Sequence, residues 1–115
     1  MSTVQPASTR IAREVTSWPG VEAGPGRRGE LAFRVGRREI GHLHGDRAAH
    51  FVFPRDIWLE LRWDGRIVEH PLFPGREGPA ARVIENEADV REVIELMRLG
   101  YDHVVERAMS GEPAR

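Results

Sequence analysis

Three of the chain's five histidines fall within the ten residues GHLHGDRAAH, Gly41 to His50. Imidazole titrates near neutral pH, so it serves as a general acid or base, and its neutral form is a common metal ligand. His42 and His44 are separated by one residue. On a strand, residues two apart share a face, which stands these two rings side by side. His70 lies further on, in VEHPLFP.

Three readings of these residues compete. A metal site would use His42 and His44 with His70, Asp46 or Glu69 as a third ligand, because catalytic zinc takes three protein ligands. An acid–base site needs only one neutral imidazole beside a substrate proton. The third reading is a partly exposed sheet face whose histidines pair with Glu39, Asp46 or Glu69, since no nucleophile accompanies them. His50 and His103 read as structural. His50 sits on the polar face of its strand, and His103 lies near the end of the last helix, where a cation complements the dipole.

The elements that must position these residues follow from periodicity. Ser8 or Thr9 caps a helix running to about Ser17, with Ile11, Ala12 and Val15 on one face. The segment GVEAGPGRRG is rich in turn residues and reads as a loop. Leu31, Phe33 and Val35 then alternate with Ala32 and Arg34, the period of a half-buried strand. Glu39–His44 and Ala48–Phe53 follow as strands, joined by Gly36-Arg37-Arg38 and Gly45-Asp46-Arg47 in an antiparallel meander. Strict alternation puts Ile40, His42 and His44 on one side, and Gly41 and Leu43 on the other.

Pro54 opens a helix to Trp63, with Ile57, Trp58 and Leu61 inward, and Asp64-Gly65 stops it. Arg66–Phe73 reads as a fourth strand and Ala81–Glu85 as a fifth. Asn86 caps the last helix, whose apolar stripe is Val90, Val93, Ile94, Met97, Tyr101 and Val104. Gly100 weakens that helix locally. The order is helix, three strands, helix, two strands, helix. That is an α+β fold with an antiparallel sheet, similar in element order to secretion-chaperone-like domains. The expected layout is one domain over residues 8–109 between tails 1–7 and 110–115.

Composition narrows the function classes. The chain has 115 residues, 40% hydrophobic and 30% charged, which suits one soluble globular domain. The formal net charge of −1 disfavours a nucleic-acid partner, which calls for a basic surplus. There is no cysteine, which rules out thiolate nucleophiles, cysteine-bound zinc and disulfides, and fits a cytoplasmic location. The first residues carry no apolar signal core, and no window reaches the length of a membrane span. All 17 basic residues are arginine, so no lysine is present to form a Schiff base. Arg27, Arg28, Arg37 and Arg38 have the fork geometry for an anion, though a solvated turn is their simpler role.

The run EIGHLHGDRAAHFVFP, followed after a helix by EHPLFP, resembles the luciferase-domain family, which includes the fungal luciferase and many small bacterial proteins. The resemblance spans roughly Trp18 to Tyr101. It rests on the H-x-H strand of His42 and His44, the proline-started helix from Pro54 to Gly65, and Glu69-His70-Pro71-Leu72. Fungal members oxidise a hydroxylated hispidin with dioxygen, so the resemblance implies chemistry without metal or organic cofactor. A base would generate an enolate or phenolate, and that anion would reduce dioxygen.

The expected function is therefore a histidine-lined pocket that binds or oxidises a small aromatic or enolic molecule with no cofactor. His42, His44 and His70 are the catalytic candidates, one as base and the others as hydrogen-bond donors. Asp46 or Glu69 would orient an imidazole, and Trp58 and Phe73 would wall the ligand. The alternatives are a chaperone-like interaction module, with a homodimer as one form of it, and a nucleic-acid-binding domain.

Overall fold

The computed structural model describes residues 5–111. In chain order the elements are α1 (Ala7–Thr16), β1 (Val21–Pro25), β2 (Leu31–Val35), β3 (Arg38–His44), β4 (Ala48–Val52), α2 (Arg55–Trp63), β5 (Val68–Glu69), β6 (Pro79–Val83) and α3 (Glu87–Met109). The strands form one antiparallel sheet in the order β1-β2-β3-β4-β6-β5. The α+β expectation holds. Of the expected tails, residues 1–4 and 112–115 lie outside the described residues.

The core lies between the sheet and its helices. Phe33 of β2, Leu43 of β3, Phe51 of β4 and Ala80 of β6 meet Val93, Leu96 and Met97 of α3, with Ile11 and Val15 of α1 beside them. Each large apolar side chain fully buried this way contributes about 1.5–3 kcal/mol. α3 begins as its sequence indicates: Asn86 accepts the Asp89 amide, and Glu87 and Asp89 place negative charge in the first turn. Tyr101 in turn donates its hydroxyl to the Pro19 carbonyl, tying α3 to the chain between α1 and β1.

Two glycines let α3 sit close to β3. A Cβ on Gly41 would lie 2.6 Å from Met97 Sδ, and one on Gly100 would lie 3.2 Å from the Ile40 carbonyl oxygen. Gly100 thus costs helix propensity but permits the approach.

Several expectations change. Val21–Pro25 is a strand, not a loop: Val21 and Ala23 alternate with Glu22 and Gly24 and pair with β2. Its glycine and proline hid that alternation, and Pro25 is tolerated because β1 is an edge strand. The first meander therefore has four strands. The strand expected over Arg66–Phe73 shrinks to Val68–Glu69, because Pro71 lacks an amide donor and the chain turns back, Phe73 N donating to His70 O. β6 starts at Pro79 and ends at Val83, not at Glu85. α1 starts at Ala7 after Pro6, with no side-chain cap, so neither Ser8 nor Thr9 is the N-cap.

The fifth change concerns β3. Phe33 pairs with Gly41, but Arg34 pairs with Glu39, so Ile40 is an extra residue in a β-bulge. Ile40 therefore turns into the core, 4% exposed, and does not share the face of His42 and His44.

Candidate functional site

The sheet face opposite α3 gathers four of the five histidines. Gly41 and Leu43 of β3 and Ala49 and Phe51 of β4 point into the core, so His42, His44 and His50 project from the other side. The β3–β4 hairpin pairs His44 with Ala48, Leu43 with Ala49, and His42 with His50. On the far side of β4, His50 pairs with Ala81 of β6, which pairs with Val68 of β5. His70 lies two residues beyond Val68 and so returns on the same face.

The rings form a continuous array. Centroids are 5.0 Å apart for His42–His44, 5.2 Å for His42–His50, 4.2 Å for His44–His50 and 4.1 Å for His50–His70. Phe73 closes the row, 5.0 Å from His70 and 42% exposed. The expected convergence of His42, His44 and His70 is present, and His50 is its hub. The sequence already put His50 on the polar face of its strand, and its place beside His42 follows from the hairpin. A three-residue turn at Gly45-Asp46-Arg47 that pairs residue 44 with 48 must also pair 42 with 50.

Hydrogen bonds distinguish the rings. Glu39 Oε2 lies 2.8 Å from His42 Nδ1. A carboxylate only accepts, so Nδ1 carries the proton and Nε2 keeps its lone pair. The bulge makes this pair possible: without Ile40 as an extra residue, positions 39 and 42 would face opposite sides. At His70 the polarity is reversed. The Leu72 amide donates to His70 Nδ1 at 3.1 Å, so the proton of the neutral ring sits on Nε2. His70 thereby carries its N–H donor on Nε2. His50 Nδ1 is buried and has no hydrogen-bond partner among the described residues.

Burial, reinforced by repulsion from His70, His44 and His42, pushes the His50 pKa down to about 4. Burial also lowers that of His70, followed by the influence of His42 and His44. Both rings are neutral at pH 7. Glu30 lies on the other flank of the array. The Arg28 amide holds its carboxylate below the usual range, and the charges of His42 and His44 add to that. Glu30 and His44 line a cleft of about 660 Å³ with Ser8, Arg28, Gly29, Leu31, Leu43 and Gly45.

The remaining sequence candidates lie as follows. Asp46 accepts the Ser8 amide at 2.8 Å, anchoring α1 to the hairpin turn. Glu69 accepts the Gly75 amide at 2.9 Å. The acid found at an imidazole is Glu39. Trp58 lies in the core and donates its indole N–H to the Pro79 carbonyl at 2.9 Å. Phe73 stands at the array. His103 is six residues before the end of α3, beyond the last turn where the dipole acts. It lines a separate cleft of about 470 Å³ with Arg37, Arg38 and Arg107.

No helix among the described residues is long and apolar enough to cross a membrane. The chain matches no curated protein and no solved structure. It does match the family model of the luciferase domain over residues 37–100. That span is narrower than Trp18 to Tyr101, but it contains Glu39, the four clustered histidines and Phe73. It covers more than half of the 115 residues, and the chain belongs to the luciferase-domain family.

Proposed function

We propose that the histidine face binds a small acidic aromatic or enolic molecule as its anion. The observation that carries this reading is the 2.8 Å contact between Glu39 and His42 Nδ1, which leaves Nε2 as an oriented proton acceptor. His70 contributes the complementary group: its Nε2–H is a donor for the oxyanion. Phe73 offers an exposed ring against which a flat ligand packs. The ligand loses its proton to His42 and keeps the electron pair. An anion of this kind is electron-rich enough to react with dioxygen directly, which is the chemistry the family resemblance implies.

A chromophoric phenol tests this reading, with 4-nitrophenol as the probe and a chelator present. Below the probe's own pKa, the bound form should show phenolate absorbance, and His42→Ala and His70→Ala should each abolish it. A bound neutral phenol, or phenolate binding that survives both substitutions, would overturn the proposal. Oxygen uptake with enolic pyrones then asks whether the anion goes on to react.

A second reading is an interaction face. Val52, Val68 and Val83 share the histidine side of the sheet and are 77%, 49% and 52% exposed. Such apolar exposure favours a covering partner, and a second copy of the chain is the simplest one. Analytical ultracentrifugation over a range of concentrations distinguishes it, since a purely ligand-binding face leaves the mass constant.

A further inference from the structure

We propose that His42, His44 and His50 bind one divalent transition-metal ion through three imidazole nitrogens and leave a coordination position open. The inference stands on side-chain geometry alone and holds whether or not the organic ligand described above binds.

One nitrogen from each of the three rings lies within 4.8 Å of the other two. A tetrahedral ion with bonds of about 2.0–2.1 Å holds its ligands about 3.3 Å apart. Ring rotations about the Cα–Cβ and Cβ–Cγ bonds are the movements that would close that difference. The backbone already puts the three residues side by side, because His42 and His50 are directly paired across β3 and β4 and His44 is two residues from His42.

Three further observations point to an ion. The Glu39 carboxylate holds the His42 Nδ1 proton, so Nε2 is the free donor atom. A metal-binding histidine characteristically has such an outer partner, which fixes tautomer and ring orientation. His50 Nδ1 is a buried polar atom with no partner among the described residues, and a metal bond would satisfy it. His44 is exposed and borders the cleft that Glu30 lines, which gives solvent or a ligand access to the fourth position.

His70, though close to His50, is not part of the set, because its Nδ1 already accepts the Leu72 amide. Three neutral imidazoles suit Zn²⁺, Cu²⁺, Ni²⁺, Co²⁺ or Fe²⁺ and not the oxygen-seeking Mg²⁺ or Ca²⁺. With the ion in place, the oxyanion of an enolic ligand would take the open position, and His42 Nε2 would be a metal ligand and not the proton acceptor.

The test uses the full chain without a histidine tag, stripped with chelator and titrated with Co²⁺ in the absence of any organic ligand. The expected result is saturation at one Co²⁺ per chain, with visible bands of a four- or five-coordinate site that Zn²⁺ bleaches. His44→Ala and His50→Asn should each weaken Co²⁺ binding by at least about tenfold, and Glu39→Gln by about tenfold, the lower range for outer-shell partners. His103→Ala, remote from the array, should leave it unchanged.

The His42–His44 pair alone would bind metal weakly, so His50→Asn decides between a pair and a three-ligand site. Unchanged affinity in a folded His50→Asn protein overturns the proposal, as does failure to saturate at one ion per chain. If His50→Asn does not fold, His44→Ala decides, because its exposed ring carries little of the core, and unchanged affinity there is equally fatal. The 4-nitrophenol assay runs with chelator and this titration runs without phenol, so one can fail while the other succeeds.

Discussion

Glu39 and His42 stand three residues apart on one strand, yet Glu39 Oε2 accepts from His42 Nδ1 at 2.8 Å. In a regular strand an odd spacing puts two side chains on opposite faces. The pair exists because Ile40 is bulged out of register. Glu39→Gln should therefore separate function from stability. Gln still accepts from Nδ1 but carries no charge, so phenolate affinity in the chelator-treated protein should fall about tenfold, about 1.4 kcal/mol and close to what a hydrogen bond to a charged group contributes. Urea melts should shift by no more than about 1 kcal/mol, because a partly exposed contact to a carboxylate contributes little.

The acid sensitivity of the chelator-treated chain should depend on His50. Its folded pKa of about 4 lies below its ordinary value, so the unfolded chain takes up the proton first. The stability that neutral His50 provides is complete above about pH 6.5, the ordinary histidine value, and is lost as pH falls toward about 4. Repulsion from His70, His44 and His42 adds to the burial, and Glu30 opposes it. Denaturant melts at pH 7.5 and pH 5 should differ more for the wild type than for His50→Asn. Equal differences would show that the ring titrates as a solvated imidazole.

A second acid-sensitive point lies at the start of α3. Asp89 is 8% exposed and accepts from Arg82 Nη2 at 2.6 Å and from the Glu85 amide at 2.8 Å. The bond from Arg82 leads in holding its pKa below the usual carboxylate value. That stability is present above the unfolded pKa and disappears as pH falls through the folded one. Asp89→Ala removes the carboxylate partner of Arg82, which keeps only its bond to the Arg66 carbonyl, and leaves the Glu85 amide unpaired, and should cost about 1–3 kcal/mol by urea denaturation at pH 7.

Gly41 should tolerate no branched side chain. Its Cβ would meet Met97 Sδ at 2.6 Å, Met97 Cε at 2.8 Å and Phe51 Cδ1 at 3.1 Å. Gly41→Val should destabilise by about 1–3 kcal/mol through overpacking. Pairing it with Met97→Ala should recover part of that loss, because the smaller side chain vacates the space. Additive losses in the double variant would mean that α3 and β3 are not in direct conflict there.

The α+β class, three of the four strands in the first meander, α2 and the cap at Asn86 were legible because their signals are local. Alternation at Leu31–Val35, a proline before Arg55 and an asparagine before Glu87 each act within a few residues. β1 was hidden because Gly24 and Pro25 resemble a turn, and only pairing with β2 makes Val21–Pro25 a strand. The common face of His42 and His44 was readable from period two. The place of His50 followed from hairpin arithmetic that had to be carried across the turn. Glu39 was one of three carboxylates the sequence offered to the histidines, and nothing in REIGHLH marks Ile40 as the extra residue that brings it to His42; the register against β2 decides it.

The bulge at Ile40 also bears on how relatives should be aligned. A chain lacking the extra residue would bring the same carboxylate and imidazole together with the acid two positions before the histidine, where this chain needs three. Two sequence spacings, E-x-H and E-x-x-H, would then encode one spatial pair. A search for either pattern alone would divide chains that share the site, and an alignment that slides the histidines to avoid a gap would match His42 to the wrong residue. The gap belongs at Ile40, and chains in which it falls there should still show a carboxylate against the first ring of the H-x-H strand.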